Sequence, residues 1–251
     1  MQKSKTRSYA FMFGLILIGL ILSWMFPNLQ QMSFMQTSAL HLSEFDMLLN
    51  IMGSNTNYFS HNRLMVLYLP VVILGLSFLF FKDKPSYIIR LRSRNAYITK
   101  HTCDVLIFSA VFSFLIELVN LIFSFCFFDY ETIDCSGLLL YSAMDLVTQF
   151  LFYMRAGLAI IIIGLLTNKR IAPFITFSVF YAEYFLSGYI PLLSSMWLPY
   201  MDSFSLPRLI MKEMSYSDFS IVVIRGLMLN IPLIIISYYL FSKKDVLNEK
   251  E

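Results

Sequence analysis

Apolar residues in this chain come in long unbroken runs, and short polar stretches separate them. Six runs stand out, at about Ser8–Phe26, Leu64–Phe81, Thr102–Phe128, Ala143–Thr167, Ala172–Leu192 and Phe219–Phe241. Each is close to the roughly 20 residues that carry a helix across a bilayer. Nothing in them alternates apolar and polar residues as a half-buried strand would. The pattern predicts an all-α polytopic membrane protein: one transmembrane domain over residues 1–251, built from six transmembrane helices. The first run follows Lys3, Lys5 and Arg7 as in a signal peptide. Ser23–Phe26 followed by Pro27 offers no small-x-small cleavage site, so an uncleaved first helix is expected.

The basic residues orient these spans. Fourteen of the nineteen Lys and Arg lie in four places: the N-terminus, the loop Lys82–Lys100, the link Lys169–Arg170 and the tail Lys243–Lys250. With six spans all four places fall on one side, and the excess of positive charge puts both termini in the cytoplasm. The intervening loops 27–63, 129–142 and 193–218 hold only Arg63, Arg208 and Lys212. Trp24, Tyr130, Trp197 and Tyr200 are expected as an aromatic belt at the membrane edge. The first outer loop is half apolar and is expected as a short amphipathic helix, on the bilayer surface or against the bundle.

Composition agrees and excludes much. The 251 residues are 58% hydrophobic and 14% charged, with a mean hydropathy of +0.68. A soluble domain has about 25% charged residues. No stretch could form a nucleotide-binding domain, and no GxxxxGK[ST] phosphate loop occurs. The chain is therefore not expected to be an enzyme or to carry a cofactor. His41, His61 and His101 have no partner at metal-ligand spacing, so no metal site is expected. Nucleic acid is not an expected partner, because the basic clusters are short and lie between apolar runs. Cys103 and Cys126 fall inside apolar runs and are expected as small buried side chains; Cys135 completes an odd set without CxxC spacing. The halves show no internal repeat of the kind secondary transporters carry.

Two groups of residues could carry function. The first is the segment Lys82–His101, in which Pro85 turns the chain as it leaves the membrane and Ser86 can cap a new helix. A short basic amphipathic helix between spans 2 and 3 is expected there, with Arg90, Arg92, Arg94 and Lys100 as its charges. Such a helix either lies on lipid headgroups or docks a cytosolic partner.

The second group is charged and sits at membrane depth: Glu117, Arg155, Glu183 and Arg225. A lone charge at mid-bilayer costs at least about 2.5–3.5 kcal/mol. Depth along the helices suggests two ion pairs, Glu117 with Arg155 and Glu183 with Arg225. Around them Ser109, Ser113, Glu117, Asn120 and Ser124 follow three- and four-residue steps, as do Thr176, Glu183 and Ser187. Each set is expected to share one helix face for close packing or a polar path. Gly157 and Gly164, seven apart, suit the same kind of helix contact.

The stretch FLFFKDK, then YIIRLRSRNAYITK, then LIFSAVFSFLIELVNLIF resembles the six-span permease subunits of type-2 ATP-binding-cassette exporters of Gram-positive bacteria, of the peptide-export and bacteriocin-immunity type. Arg90, Ser93, Arg94, Tyr97 and Lys100 match that family's inner-loop stretch, and Arg92 lies within it. The resemblance implies that this loop couples to a cytosolic ATPase subunit and that a second permease subunit completes the unit in the cell membrane. The very short link Asn168–Ile171 departs from the family and leaves one main inner docking loop. The alternative is a stand-alone membrane immunity protein that binds a peptide at the outer face without transport.

Overall fold

The computed structural model describes residues 2–37, 43–53, 58–80, 94–189 and 202–243. Within them the chain is helical and contains no strand. Helix α1 spans Gln2–Thr37, α2 Glu44–Gly53, α3 His61–Phe80 and α4 Arg94–Phe127. Then come α5 (Tyr130–Ser136), α6 (Leu138–Leu166), α7 (Ala172–Tyr189), α8 (Leu206–Ile210) and α9 (Tyr216–Lys243). Helices α1, α3, α4, α6 and α9 are long and apolar enough to cross a membrane. The apolar part of α7 is shorter, Ala172–Leu186, and residues 190–201 lie outside the described set.

Helix α6 is the hub. It packs against α3, α4, α5, α7, α8 and α9, and its apolar window is 67% buried, against 28% in α1 and 11% in α9. Small residues let its neighbours approach. A Cβ on Gly157 would stand 2.6 Å from Val105 of α4 and 2.9 Å from Leu76 of α3, so three helices converge on that position. The helix-contact role expected of Gly157 holds, and Gly164 is buried too. Gly137 begins α6 with φ +66°, the left-handed conformation that glycine adopts at low cost, and closes α5 through its N–H to the Asp134 carbonyl.

Several expectations change. The first helix does not stop before Pro27 but runs through it to Thr37. Proline has no N–H for the carbonyl four residues back, that of Ser23. Arg63 supplies the missing donor: its Nη1 lies 3.1 Å from Ser23 O and 3.1 Å from Ser23 Oγ. Just before Pro70, the backbone widens into a π-helical turn at Leu64–Tyr68, a common way to absorb an interrupted helix.

Trp24 is not an edge residue. It is 0% exposed, stacks on Phe123 at 4.6 Å, and donates its indole N–H to Asn120 Oδ1 at 3.2 Å. The apolar first outer loop does pack inward as a helix, with Leu48, Ile51 and Met52 of α2 buried. Cys103 and Cys126 were expected inside, but both lie on the outward face of α4, and Cys135 is exposed as well.

The short basic helix expected between spans 2 and 3 is not shown. Residues 81–93, including Arg90, Arg92 and Ser93, lie outside the described residues. From Arg94 onward the chain belongs to α4, continuous with the third span. At 1.5 Å per residue this 34-residue helix is about 51 Å long, well beyond a roughly 30 Å hydrocarbon core.

Candidate functional site: a polar seam inside the bundle

One face of α4 carries polar side chains into the bundle. Ser109, Ser113, Asn120 and Ser124 are 0% exposed and Glu117 is 3% exposed. The three- and four-residue spacing read from the sequence thus forms a single inward seam, which keeps these five polar side chains away from the outward face.

Glu117 sits at its middle. Its Oε1 accepts a 2.6 Å hydrogen bond from Gln149 Nε2 of α6, and the same nitrogen donates to Asp145 Oδ2, also at 2.6 Å. One amide therefore bridges two buried carboxylates. The second oxygen of Asp145 accepts from Ser205 Oγ and Leu206 N, each at 2.8 Å, and from Ser205 N. Asp145 thus acts as the N-cap of α8 from a different helix and fastens the segment that follows the fifth apolar run to the bundle core. Tyrosines close the seam: Tyr58 donates to Ile116 O at 3.1 Å, and Tyr68 donates to Tyr58 O at 3.0 Å.

The ion pairing differs from the one expected by depth. Arg155 meets Glu183 of α7 at 3.3 Å, and Arg225 of α9 forms a two-point pair with Asp202, Nε donating to Oδ2 at 2.7 Å. Glu117 meets the amide of Gln149 instead of Arg155. The reason is azimuth: Arg155 follows Gln149 by six residues, which at about 100° each puts it roughly 120° round the helix. It therefore faces α7, where it is sandwiched by the rings of Phe152 at 5.3 Å and Phe180 at 5.0 Å. Burial pushes the Asp202 carboxyl above the usual carboxylate range, while the hydrogen bonds and charge of Arg225 pull it down.

A small cleft, about 20 Å³, separates α6 from α9 beside Arg155, Asp202 and Asn230. Thr176 is buried on the face of α7 predicted to be polar, and its hydroxyl bonds back to Ala172 O at 2.8 Å. The side chain of Ser187 lies outside the described residues. Among the described residues no group of three or more His, Cys, Asp or Glu could hold a metal ion.

At the inner-loop end, Tyr97 is 7% exposed, stacked on Phe241 of α9 at 5.1 Å and set edge-on to His101. It ties α4 to α9, helped by the 2.8 Å bond between Thr99 Oγ1 and Tyr238 OH. Lys100 pairs with Asp104 at 3.8 Å. Asp145 and Gln149 were missed at the sequence level, although an Asp and a Gln four apart inside an apolar run are a legible signal. Asp202 lies in the loop 193–218, where the sequence alone does not mark it as a partner for Arg225.

These residues form an interior suited to binding or relaying a charge. Comparison with known proteins adds no identity, for the chain matches no family model, no curated protein and no solved structure.

Proposed function

We propose that this chain is the six-span permease subunit of an ATP-binding-cassette exporter in the cell membrane. Both termini lie in the cytoplasm, a separate cytosolic ATPase subunit hydrolyses ATP, and a second permease subunit completes the path. The observation that carries this reading is the alternation of basic places with acidic, aromatic-rich loops across six apolar runs. Helix α7 supplies the sixth span in this reading. The basic segment Lys82–Lys100 lies on the same side as both termini and supplies the coupling contact through Arg90, Arg92, Ser93, Arg94 and Lys100. Tyr97, being buried, positions that segment against α9 instead of meeting the ATPase. The long α4 and its interior polar seam suit a bundle through which a peptide or amphipathic compound is moved.

The test is retention of the ATPase on the purified permease. Reversing Arg90 and Arg94 to Glu is expected to release the ATPase and abolish ATP-dependent export, while Lys82, Lys84, Arg92 and Lys100 preserve orientation. Equal retention by wild type and the double reversal would overturn docking through these arginines. A chain that purifies with no ATPase at all, yet protects cells against a peptide, would favour the stand-alone immunity protein.

A further inference from the structure

The seam contains buried polar atoms that no protein group satisfies. Glu117 Oε2, Gln149 Oε1, Ser142 Oγ, Ser113 Oγ and Tyr153 OH are all buried without a hydrogen-bond partner. Ser142 is 2% exposed and lies beside Glu117. Leaving one such group unmet typically costs about 1–3 kcal/mol, so a cluster of them calls for a further partner, whether a proton, a water or an ion.

Charge makes the same demand. Glu117 and Asp145 are bound to one amide nitrogen, and among the described residues no basic side chain pairs with them. The arginines of the neighbouring elements are directed elsewhere: Arg63 of α3 to Ser23, Arg155 of α6 to Glu183, Arg225 of α9 to Asp202, and Arg208 of α8 also toward Asp202. The carboxylates of α5, Glu131 and Asp134, are exposed. The groups that face Glu117 are Asp145 and the phenols of Tyr58, Tyr68 and Tyr153, all acids. Two carboxylates sharing a site in a medium of low dielectric do not both stay ionised.

From this geometry we infer that Glu117 is a proton-binding site: Oε2 carries the proton, and Gln149 and Asp145 tie its state to the segment Asp202–Leu206. Three of the four carboxylate oxygens already accept hydrogen bonds, and only Glu117 Oε2 is free. A metal ion would find one free carboxylate oxygen here, the other unpartnered oxygens being neutral, whereas a proton needs only that one. Release of the proton sets a second charge beside Asp145, whose Oδ1 holds the amides of Ser205 and Leu206. Protonation therefore seats that segment and deprotonation loosens it. This inference does not depend on the transport reading.

Infrared difference spectra of the full-length protein in lipid, between acid and alkaline buffer, test it. A protonated-carboxyl C=O band that vanishes as pH rises is expected in wild type and should be absent in Glu117→Gln. Ser142→Ala should move the band, because it replaces a hydroxyl dipole beside the acid with a methyl group. A band that survives Glu117→Gln, or that ignores Ser142→Ala, would overturn the assignment. Loss of the band on adding sodium at constant pH would give the site to a metal ion instead. Should Glu117→Gln fail to fold, wild type decides alone: dicyclohexylcarbodiimide, which reacts with protonated carboxyls in apolar surroundings, should leave an adduct on Glu117 that diminishes with rising pH. No adduct there would refute the proposal.

Discussion

Arg155 is held by charge and by packing together, and the two can be separated. Its guanidinium pairs with Glu183 at 3.3 Å and lies between two phenylalanine rings. Replacing Arg155 with Met leaves Glu183 without its counter-charge, and Glu183→Met does the reverse. The double replacement is expected to recover part of either loss, with a coupling of about 0.5–3 kcal/mol in detergent unfolding. Additive losses would mean that the pair contributes nothing beyond its separate contacts. Gly157 makes a simpler case. Its missing side chain is the space in which Val105 and Leu76 sit, so Gly157→Ala should destabilise the bundle by about 1–3 kcal/mol through overpacking. An unchanged melting temperature would show that α3 and α4 can shift apart freely. At this scale the sequence was informative about which residues are charged at depth and poor at matching them. Rise along a helix is readable from numbering, but the partner depends on which neighbour each helix turns toward.

Among the elements, α1 shows how a helix can pass through a proline inside an apolar bundle. Pro27 removes one backbone donor and Arg63, forty residues beyond Ser23, replaces it. Arg63→Met should cost about 1–3 kcal/mol, since it leaves the Ser23 carbonyl short of a donor, while the Ser23 hydroxyl keeps Tyr68. Adding Pro27→Ala restores the backbone N–H and should return most of that stability. Failure of this rescue in thermal unfolding would assign the role of Arg63 to its other contacts. The extent of α1 was not legible because a proline after an apolar run is ordinarily a stop signal; only the distant arginine makes continuation affordable. The polar stripe of α4, in contrast, was legible in full. Its three- and four-residue period is a property of one helix and needs no knowledge of its neighbours.

For the whole molecule, topology is the open prediction. In a chain with Cys103, Cys126 and Cys135 replaced by serine, a single new cysteine at Glu131 or Glu213, both exposed, should react with an impermeant thiol reagent added to intact cells. A cysteine at the exposed Asn168 should react only after the membrane is opened. Labelling of Asn168→Cys in intact cells would contradict six spans with an inside N-terminus. The sequence by itself determined that the chain is helical and apolar enough to cross a bilayer several times, because hydropathy and charge distribution are sums over local residues. It also determined which faces are polar and which small residue admits close neighbours. Only the tertiary structure decided that Trp24 is core, that Asp145 caps α8 and shares Gln149 with Glu117, and that Arg225 takes Asp202. Those outcomes depend on the azimuth of each helix about its axis and on how outer segments fold back onto the bundle. In a bilayer, where burying a polar group without a partner is so costly, such pairings follow from the packing of all the helices at once.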